Sequence, residues 1–208
     1  MTCSTSDQES ETGAHRLTVR RATAGEFRVV SRMLQLYLHD LSETDGEDLQ
    51  ASGCFLYPWL PDFWRKANHA AFVFRKDGKY TGFALVDDDV VLPGGEHSIE
   101  EFFVLRKFRR QGVGRRAATA LFRALPGRWE VGHGMTNARA DAFWREVIGS
   151  FTGNDFSEVT LGAGDGAFMR LFDNGFLATS LRYLRLAVPE ASRAETRVVA
   201  PIHRISMP

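Results

Sequence analysis

Apolar and polar positions follow two different periods along this chain. Leu17 and Val19 alternate with polar residues, which predicts a short strand. Residues 24–41 carry an apolar side chain every three or four positions, which predicts an amphipathic helix. Thr23 and Glu26 stand ahead of it with the spacing of a capping box. The apolar positions of this helix are Phe27, Val30, Leu34, Tyr37, Leu38 and Leu41.

Further strands and turns follow this helix. A short helix is expected near residues 61–67, between proline-rich segments. AAFVFRK and KYTGFALV flank Asp77-Gly78, a dipeptide suited to the type I′ turn of a hairpin. HSIEEFFVL and RWEVGHGM predict two more strands, and DFSEVTL with AFMRLF predicts a second hairpin.

Two longer helices complete the order of elements. Gly112 opens one helix, which Pro126-Gly127 ends, and Asn137 is a suitable N-cap for the next. The order β-α-(α)-β-β-β-α-β-α-β-β predicts an α/β fold, a mixed sheet with helices on both faces. We expect a domain over residues 16–174, a disordered leader over 1–15, and an extension of unassigned structure over 175–208.

Composition narrows the function classes. The chain has 208 residues, and its 26 basic side chains balance 26 acidic ones. A net charge of zero argues against a dedicated nucleic-acid binder or a polybasic membrane protein. The two cysteines fit neither a metal site nor a disulfide framework, so we expect a cytoplasmic protein without a metal. No apolar run reaches the roughly 18 residues of a membrane span, and the N-terminus is unlike a secretory signal.

The strongest chemical signal is a glycine-containing junction between a strand and a helix. Gly112 and Gly114 follow the strand that ends in FFVL and begin the next helix. Such a junction exposes main-chain N–H groups at the positive end of a helix dipole, where an anion can bind. Six cations lie within eleven residues here, which favours a ligand with more than one phosphate: Arg106, Lys107, Arg109, Arg110, Arg115 and Arg116.

Other interpretations of this junction are weaker. A Walker A loop is excluded because no Gly-Lys-Ser/Thr follows the glycines. Gly112-x-Gly114-x-x-Ala117 matches a dinucleotide fingerprint, but six residues separate it from Leu105, and no acidic ribose ligand ends the next strand. A solvated basic loop whose glycines only cap a helix is the third alternative.

Several segments together resemble the GNAT N-acetyltransferase superfamily. Arg109-x-x-Gly112-x-Gly114 is similar to its acyl-CoA loop, and Asn137 with Phe143-Trp144 resembles its Asn-Ala…Phe-Tyr segment. The order of elements from Leu17 to Phe172 agrees with it. LQLYLHDLSE, EFFVLRKFRRQGVG, PGRWEV and NARADAFWR look like a group of uncharacterised bacterial GNAT proteins whose domain ends near Phe-Asp-Asn. The resemblance is specific for the fold and the donor, and it says little about the acceptor.

The resemblance implies acetyl-CoA as co-substrate, bound where the central strand splays from its neighbour at a bulge. Main-chain groups of Phe103, Val104 and Leu105 would bind the pantetheine arm. Arg109 or Lys107 would neutralise outer phosphates. The pyrophosphate would be held by the amides of Arg110, Gln111, Gly112, Val113 and Gly114, with Arg115 nearby.

Two more positions of the resemblance carry open roles. Asn137 either binds the pantetheine or caps its helix. Trp144 replaces a Tyr that in many relatives protonates the departing thiolate, and an indole is no practical acid near neutral pH. Trp144 therefore packs against the acyl arm or in the core.

The implied reaction is direct attack of a neutral amine on the thioester in a ternary complex, and it needs a base. Glu100 and Glu101 are candidates on the central strand, where alternation predicts that they point to opposite faces. His133, at the end of its strand, is the alternative. A structural role is the competing interpretation for all three.

The acceptor is expected to be a small-molecule or peptide amine. Five acids could form a rim that attracts a cationic amine such as a polyamine, an aminoglycoside or a lysine side chain, or they could only solvate a loop. These acids are Asp40, Glu43, Asp45, Glu47 and Asp48. An aromatic cluster either walls the acceptor pocket or belongs to the core: Tyr57, Trp59, Phe63 and Trp64.

Two other functions compete with the enzyme. One is a CoA-binding regulatory or interaction module without turnover. The other is nucleic-acid binding through the arginine-rich loop, which the balanced net charge disfavours. The oligomeric state is open, a homodimer included.

Overall fold

The computed structural model describes residues 16–162 and 166–174. The strands are β1 (Leu17–Arg21), β2 (Ala70–Lys76), β3 (Lys79–Asp87), β4 (His97–Val104), β5 (Arg128–Gly134), β6 (Ser157–Leu161) and β7 (Ala167–Asp173). The helices are α1 (Phe27–Asp45), α2 (Asp62–Arg65), α3 (Val113–Ala124) and α4 (Ala138–Thr152). The strands form one sheet in the order β1-β2-β3-β4-β5-β7-β6, and only β4 and β5 pair in parallel. The predicted mixed α/β fold is confirmed.

Local sequence signals produce the expected turns and helix ends. Asp77 and Gly78 both have positive φ, at 51° and 76°, as a type I′ turn between β2 and β3 requires. Asn137 caps α4, because its Oδ1 accepts a hydrogen bond from the N–H of Ala140 at 2.9 Å. Helix α1 runs four residues beyond the predicted end and stops at Gly46, which has a φ of 72°.

The sheet has a core on each face. One face packs against α3 and α4, with Phe102, Phe122 and Trp144 among its buried residues. The other face packs against α1 and α2, with Tyr37 and Phe103 among its buried residues. The sheet therefore lies between two layers of helix, and its interior strands are covered on both sides.

The centre of the sheet opens into a gap. Strands β4 and β5 pair only at His97–Ile99, opposite residues 129–131. Beyond that point β4 continues to Val104 and β5 to Gly134 without pairing with each other. The two strands therefore diverge towards their C-terminal ends, as the resemblance implied.

A β-bulge in β4 lies where this gap begins. The register between β3 and β4 shifts, because Leu85 lies opposite Glu101 whereas Val86 lies opposite Ile99. Glu100 is the extra residue that this shift leaves in β4. A bulge breaks the alternation of side chains, so sequence parity no longer predicts which face each residue occupies.

The bulge overturns the prediction that Glu100 and Glu101 point to opposite faces. Glu101 lies opposite Leu85, on the face that packs against α1 and α2. Besides burial, the charge of Glu100 raises the pKa of Glu101, of Asp87 and of Tyr57. The carboxyl groups of Glu100 and Glu101 therefore lie close to the same neighbouring residues, at the inner end of the gap.

The predicted leader over 1–15 and extension over 175–208 lie outside the described residues. Within residues 16–162 and 166–174, no helix combines the length and the hydropathy that crossing a bilayer needs.

Candidate active site

The turn between β4 and α3 presents a row of main-chain donors. Arg110 and Gly112 adopt positive φ, at 55° and 71°, and bend the chain so that consecutive N–H groups converge. Across the described part of the chain, the N–H groups of residues 110–115 donate to no acceptor. A Cβ added at Gly112 would meet no atom within 4 Å, so the space above these donors is open. The turn has the geometry of an anion site.

Two arginines of this turn bind the protein itself. Arg106 and Arg109 each donate to a different oxygen of Asp40 on α1, at 2.6 Å. Arg109 also donates from Nε to the carbonyl oxygen of Val104, at 2.7 Å. Arg109 therefore anchors the turn to α1 and β4, which argues against the predicted role of neutralising outer phosphates. Asp40 is likewise unavailable to an acceptor rim.

Other cations of the turn remain exposed to solvent. Lys107, Arg110, Arg115 and Arg116 are exposed. The last two line a groove of about 470 Å³ between α3 and α4, together with Arg123. This groove lies along α3 and begins at Arg115, in the first turn of that helix. A second cavity, of about 400 Å³, lies at the wide end of the gap.

The edge of β4 offers fewer free main-chain groups than predicted. The N–H of Leu105 donates to the carbonyl oxygen of Thr81 at 2.9 Å, and Phe103 pairs with Phe83 of β3. Neighbouring residues of a strand direct their main-chain groups to opposite edges, so Val104 faces the gap instead. Of the three predicted pantetheine contacts, Phe103 and Leu105 are directed towards β3.

Trp144 and Asn137 have structural roles. Trp144 is fully buried, packed against Phe102 and Phe122 with ring centroids 5.2 and 6.4 Å away. It therefore packs in the core under α3 and α4, the second of the two positions predicted for it, and this burial argues against a direct contact with the cofactor. Asn137 caps α4 and also lines the 400 Å³ cavity. Both of its predicted roles are compatible with that position.

His133 lies in a buried cluster that leaves it little basicity. It is 0% exposed, its Nδ1 lies 3.1 Å from the carbonyl oxygen of Gly134, and its Nε2 lies 2.9 Å from Nη1 of Arg170. Arg170 also pairs with Asp141 and Glu158. Burial lowers the pKa of His133. Because both ring nitrogens are engaged away from solvent, this placement argues against the prediction that His133 is a base.

The two glutamates at the bulge differ in access. Burial and then the charge of Asp89 raise the pKa of Glu100 to about 7, and its side chain is part-exposed. Glu101 is 0% exposed, and burial raises its pKa well above the usual range. The charge of Glu100 raises the pKa of Glu101 further, and the hydroxyl groups of Tyr37 and Tyr57 oppose this rise. Glu100 can therefore exchange a proton near neutral pH, whereas Glu101 is enclosed and holds its proton more strongly than an exposed carboxyl group does.

Further acidic residues lie beside the bulge, and the sequence interpretation missed them. Asp87 ends β3 and is 3% exposed, and burial followed by the charge of Glu100 raises its pKa to about 8. Asp89 follows it in the next loop. We call this group, Asp87, Asp89, Glu100, Glu101 and the neighbouring His69, the acidic corner. Its members come from three separate segments, and the Asp-Asp-Asp run at 87–89 was the available signal.

The predicted aromatic wall is largely core. Tyr57 and Phe63 are buried in the cluster under α1 and α2, and Trp59 and Trp64 pack against its edge. In the segment after Asp40, Glu43, Glu47 and Asp48 are exposed.

The splayed sheet and the free amides of the turn are the features that the resemblance implied, and comparison with known proteins gives the family. Residues 30–149 match the model of the acetyltransferase (GNAT) family. The chain belongs to that family. A comparison with curated proteins finds no match.

Solved structures share the fold at low identity. An acetyltransferase from Thermus thermophilus has a TM-score of 0.56 and 15% identity, covering 77% of this chain and 99% of its own. The yncA protein from Salmonella typhimurium, solved with its cofactor acetyl-CoA, has a TM-score of 0.52 and 13% identity, covering 78% and 96%. The ribosomal-protein-S18-alanine N-acetyltransferase from Escherichia coli has a TM-score of 0.50 and 17% identity, covering 81% and 100%. These likenesses concern the fold.

Proposed function

We propose that this protein is an N-acetyltransferase that moves the acetyl group of acetyl-CoA to a primary amine by direct attack in a ternary complex. One observation carries the proposal. The gap between β4 and β5 has unpaired N–H donors of residues 110–115 at its wide end and the part-exposed Glu100 at its inner end. One cleft can therefore bind the anionic acetyl donor and also contains the residue that accepts the proton.

The wide end suits the diphosphate of CoA. Main-chain N–H groups at a helix start favour phosphate oxygens, and the open space at Gly112 allows close approach. Arg115 and Arg116 lie beside these donors and would balance the remaining negative charge. The pantetheine arm would follow the edge of β4 that faces the gap, where the N–H of Val104 is directed into the gap and its carbonyl oxygen already accepts a hydrogen bond from Nε of Arg109. The residues present therefore fit acetyl-CoA.

The inner end suits proton removal from the amine. The amine nitrogen attacks the carbonyl carbon of the thioester, the C–N bond forms, and the C–S bond breaks so that CoA leaves as thiolate. The ammonium proton goes to the carboxylate of Glu100, directly or through one water molecule. Because Trp144 is buried in the core, the thiolate takes its proton from solvent.

Glu100 is better suited to this role than Glu101. A base works best when its pKa lies near the working pH, and the pKa of Glu100 is about 7. Its titratable neighbours are Asp87 at the end of β3, Asp89 in the following loop and Glu101 beside it, all acidic. Glu101 is enclosed, and burial raises its pKa well above the usual range, so it is less suited than Glu100 to exchange a proton with the acceptor.

A CoA-binding module without turnover is the second candidate. The observation that favours it is Trp144, which supplies no acid for the leaving thiolate. Both candidates predict that CoA raises the melting temperature. Only the enzyme releases free thiol from acetyl-CoA when amines are added.

The sharpest test compares two amide variants at the bulge. Glu100→Gln should lower kcat by about 10²–10⁴-fold, the usual contribution of a general base. In the unchanged protein kcat/KM should rise as the pH rises through about 7, because Glu100 accepts a proton only once ionised. This rise should be missing in Glu100→Gln. Thiol release measured across pH 5.5–9 gives both results.

Glu101→Gln is the matched control. An amide has nearly the shape and the charge of the protonated acid, so this variant should keep the pH profile and lose at most a few-fold in kcat. CoA should raise the melting temperature of both variants equally. If Glu100→Gln turned over amines as fast as the unchanged protein, Glu100 would not be the base.

A further inference from the structure

The acidic corner gathers acids for which the surrounding described residues supply no lysine or arginine partner. Asp87 and Glu101 are 3% and 0% exposed. Among residues 16–162 and 166–174, no lysine or arginine forms an ion pair with Asp87, Asp89, Glu100 or Glu101. Lys66 is the nearby cation, and its Nζ pairs with Asp62 at 3.0 Å. Burying carboxylates without a partner is costly, so their arrangement favours a cationic ligand.

His69 gives an independent indication of a ligand. It is 6% exposed, and its ring packs on Phe63 with centroids 5.2 Å apart. Its Nδ1 is buried and has no hydrogen-bond partner. One ring nitrogen of His69 and one oxygen each of Asp87 and Asp89 lie within 4.8 Å of one another. The Nε2 of His69 lies 3.8 Å from Oδ2 of Asp89 and its Nδ1 lies 3.9 Å from Oδ1 of Asp88, so the buried ring faces the carboxylates of the 87–89 run.

This spacing suits an ammonium group. An ammonium nitrogen makes hydrogen bonds of about 2.8 Å along tetrahedral directions, which separates its acceptors by about 4.6 Å. Asp89 is exposed, with 78% of its side chain accessible, and forms the open side of the corner. Its charge also raises the pKa of Glu100, so the reacting amine and this group of acceptors are neighbours.

We propose that Asp87, Asp89 and His69 bind a second cationic group of the acceptor, so that the preferred substrates are diamines acetylated at the end nearest Glu100. This inference rests on the proposed function and adds the substrate class. The reacting amine loses its proton to Glu100, while the second ammonium keeps its charge and is held at the end of β3.

The test compares diamines with monoamines of equal carbon number. For chains of two to eight carbons, kcat/KM should favour the diamine by about tenfold or more, the effect of about 1.4 kcal/mol from one charge-assisted contact. Asp89→Asn and Asp87→Asn should reduce this preference towards one, chiefly through KM. Asp155→Asn removes an exposed acid from the turn after α4 and should leave the preference unchanged.

A binding measurement separates this inference from the proposed function. Calorimetric titration of CoA-saturated protein with the best diamine should show binding that Asp89→Asn weakens about tenfold or more. Such binding without turnover of any amine would support a diamine-binding site at the acidic corner and would refute the proposed acetyltransferase activity. Turnover without a preference for diamines, or a preference that both variants keep, would overturn the inference. Stoichiometric binding of Zn²⁺ or Mn²⁺ that displaces the diamine would also overturn it, in favour of a metal site.

Discussion

Two buried charged clusters in this protein have opposite electrostatic states. Around Arg170, which is 1% exposed, the carboxylates of Asp141 and Glu158 and the ring of His133 supply a partner for every guanidinium nitrogen. The acidic corner lies across β4 from that cluster, and among the described residues its acids form no ion pair with a lysine or an arginine. The first cluster is complete within the fold, whereas the second is completed by something that binds.

This difference separates structural charges from site charges. Asp141 keeps a lowered pKa although burial opposes it, because Arg170 donates to it and attracts it. Asp87 has a raised pKa, because burial and Glu100 both oppose its ionisation. Burial alone does not show whether an ionisable group is structural or belongs to a site. The distinction depends on whether neighbouring opposite charges offset the cost of burying it.

The largest expected effect is on the complete cluster. Arg170→Met should lower the free energy of unfolding by about 3–5 kcal/mol, because it leaves Asp141 and Glu158 facing a buried site without their cation. Urea unfolding followed by circular dichroism measures this change. Arg145→Met is the control, since Arg145 contacts the same two acids from a side chain that is 55% exposed. It should cost about 0–1 kcal/mol. Equal losses in the two variants would mean that the buried pairing adds nothing.

The next effect is a gain, not a loss, in the free energy of unfolding. Asp87→Asn should stabilise the protein at pH 8 by about 1–3 kcal/mol, the range for a buried polar group relieved of its cost. Asp87 ionises at about 3.9 in an unfolded chain and at about 8 in the folded one. Between these values the folded state binds the extra proton, so the stability of the unchanged protein falls as the pH rises. At pH 4 the variant should gain nothing.

Asp40→Asn is the counterpart for Asp87→Asn. Burial opposes the ionisation of Asp40, but Arg106 and Arg109 outweigh it and lower its pKa. Its stabilisation is present above its unfolded pKa and is lost as the pH falls. Asp40→Asn should therefore destabilise the protein at pH 8, where Asp87→Asn stabilises it. Thermal unfolding at pH 4 and pH 8 tests both, and the same sign at pH 8 would contradict the comparison.

The sequence alone predicts features that depend on near neighbours along the chain. The turn at Asp77-Gly78 and the cap at Asn137 follow from residues within a few positions, and both are confirmed. The glycine turn after β4 is predictable for the same reason. Its N–H groups are left free by the local backbone conformation, which Gly112 makes accessible.

Features that depend on distant partners could not be predicted. The shared side of Glu100 and Glu101 depends on a bulge that the pairing with β3 imposes. Arg109 is bound by Asp40, 69 residues earlier, so sequence could not distinguish it from the exposed arginines of the same turn. The partner of His133 is Arg170, 37 residues later. Charge counts along the chain do not record such pairings.

The smallest expected effect tests whether the glycine turn is a ligand site or only a helix start. Gly112→Ala should lower the free energy of unfolding by about 1–2 kcal/mol, because its φ of 71° disfavours a Cβ while the surrounding space is open. It should also weaken CoA binding about tenfold, or about 1.4 kcal/mol, because the methyl group stands where a phosphate approaches the N–H groups. Urea unfolding and calorimetric titration with CoA measure the two effects.

Gly153→Ala supplies the matched control, since the two glycines share their strain and differ in position. Gly153 has a φ of 68°, ends α4, and also has open space around an added Cβ. The backbone cost should therefore be the same, about 1–2 kcal/mol, whereas CoA affinity should not change. If both variants weakened CoA binding equally, the loss would come from general destabilisation, and the free N–H groups of residues 110–115 would not hold the diphosphate. A loss of CoA affinity confined to Gly112→Ala places the anion at that turn. The backbone strain is the same in both variants, so strain alone cannot explain a loss in only one of them.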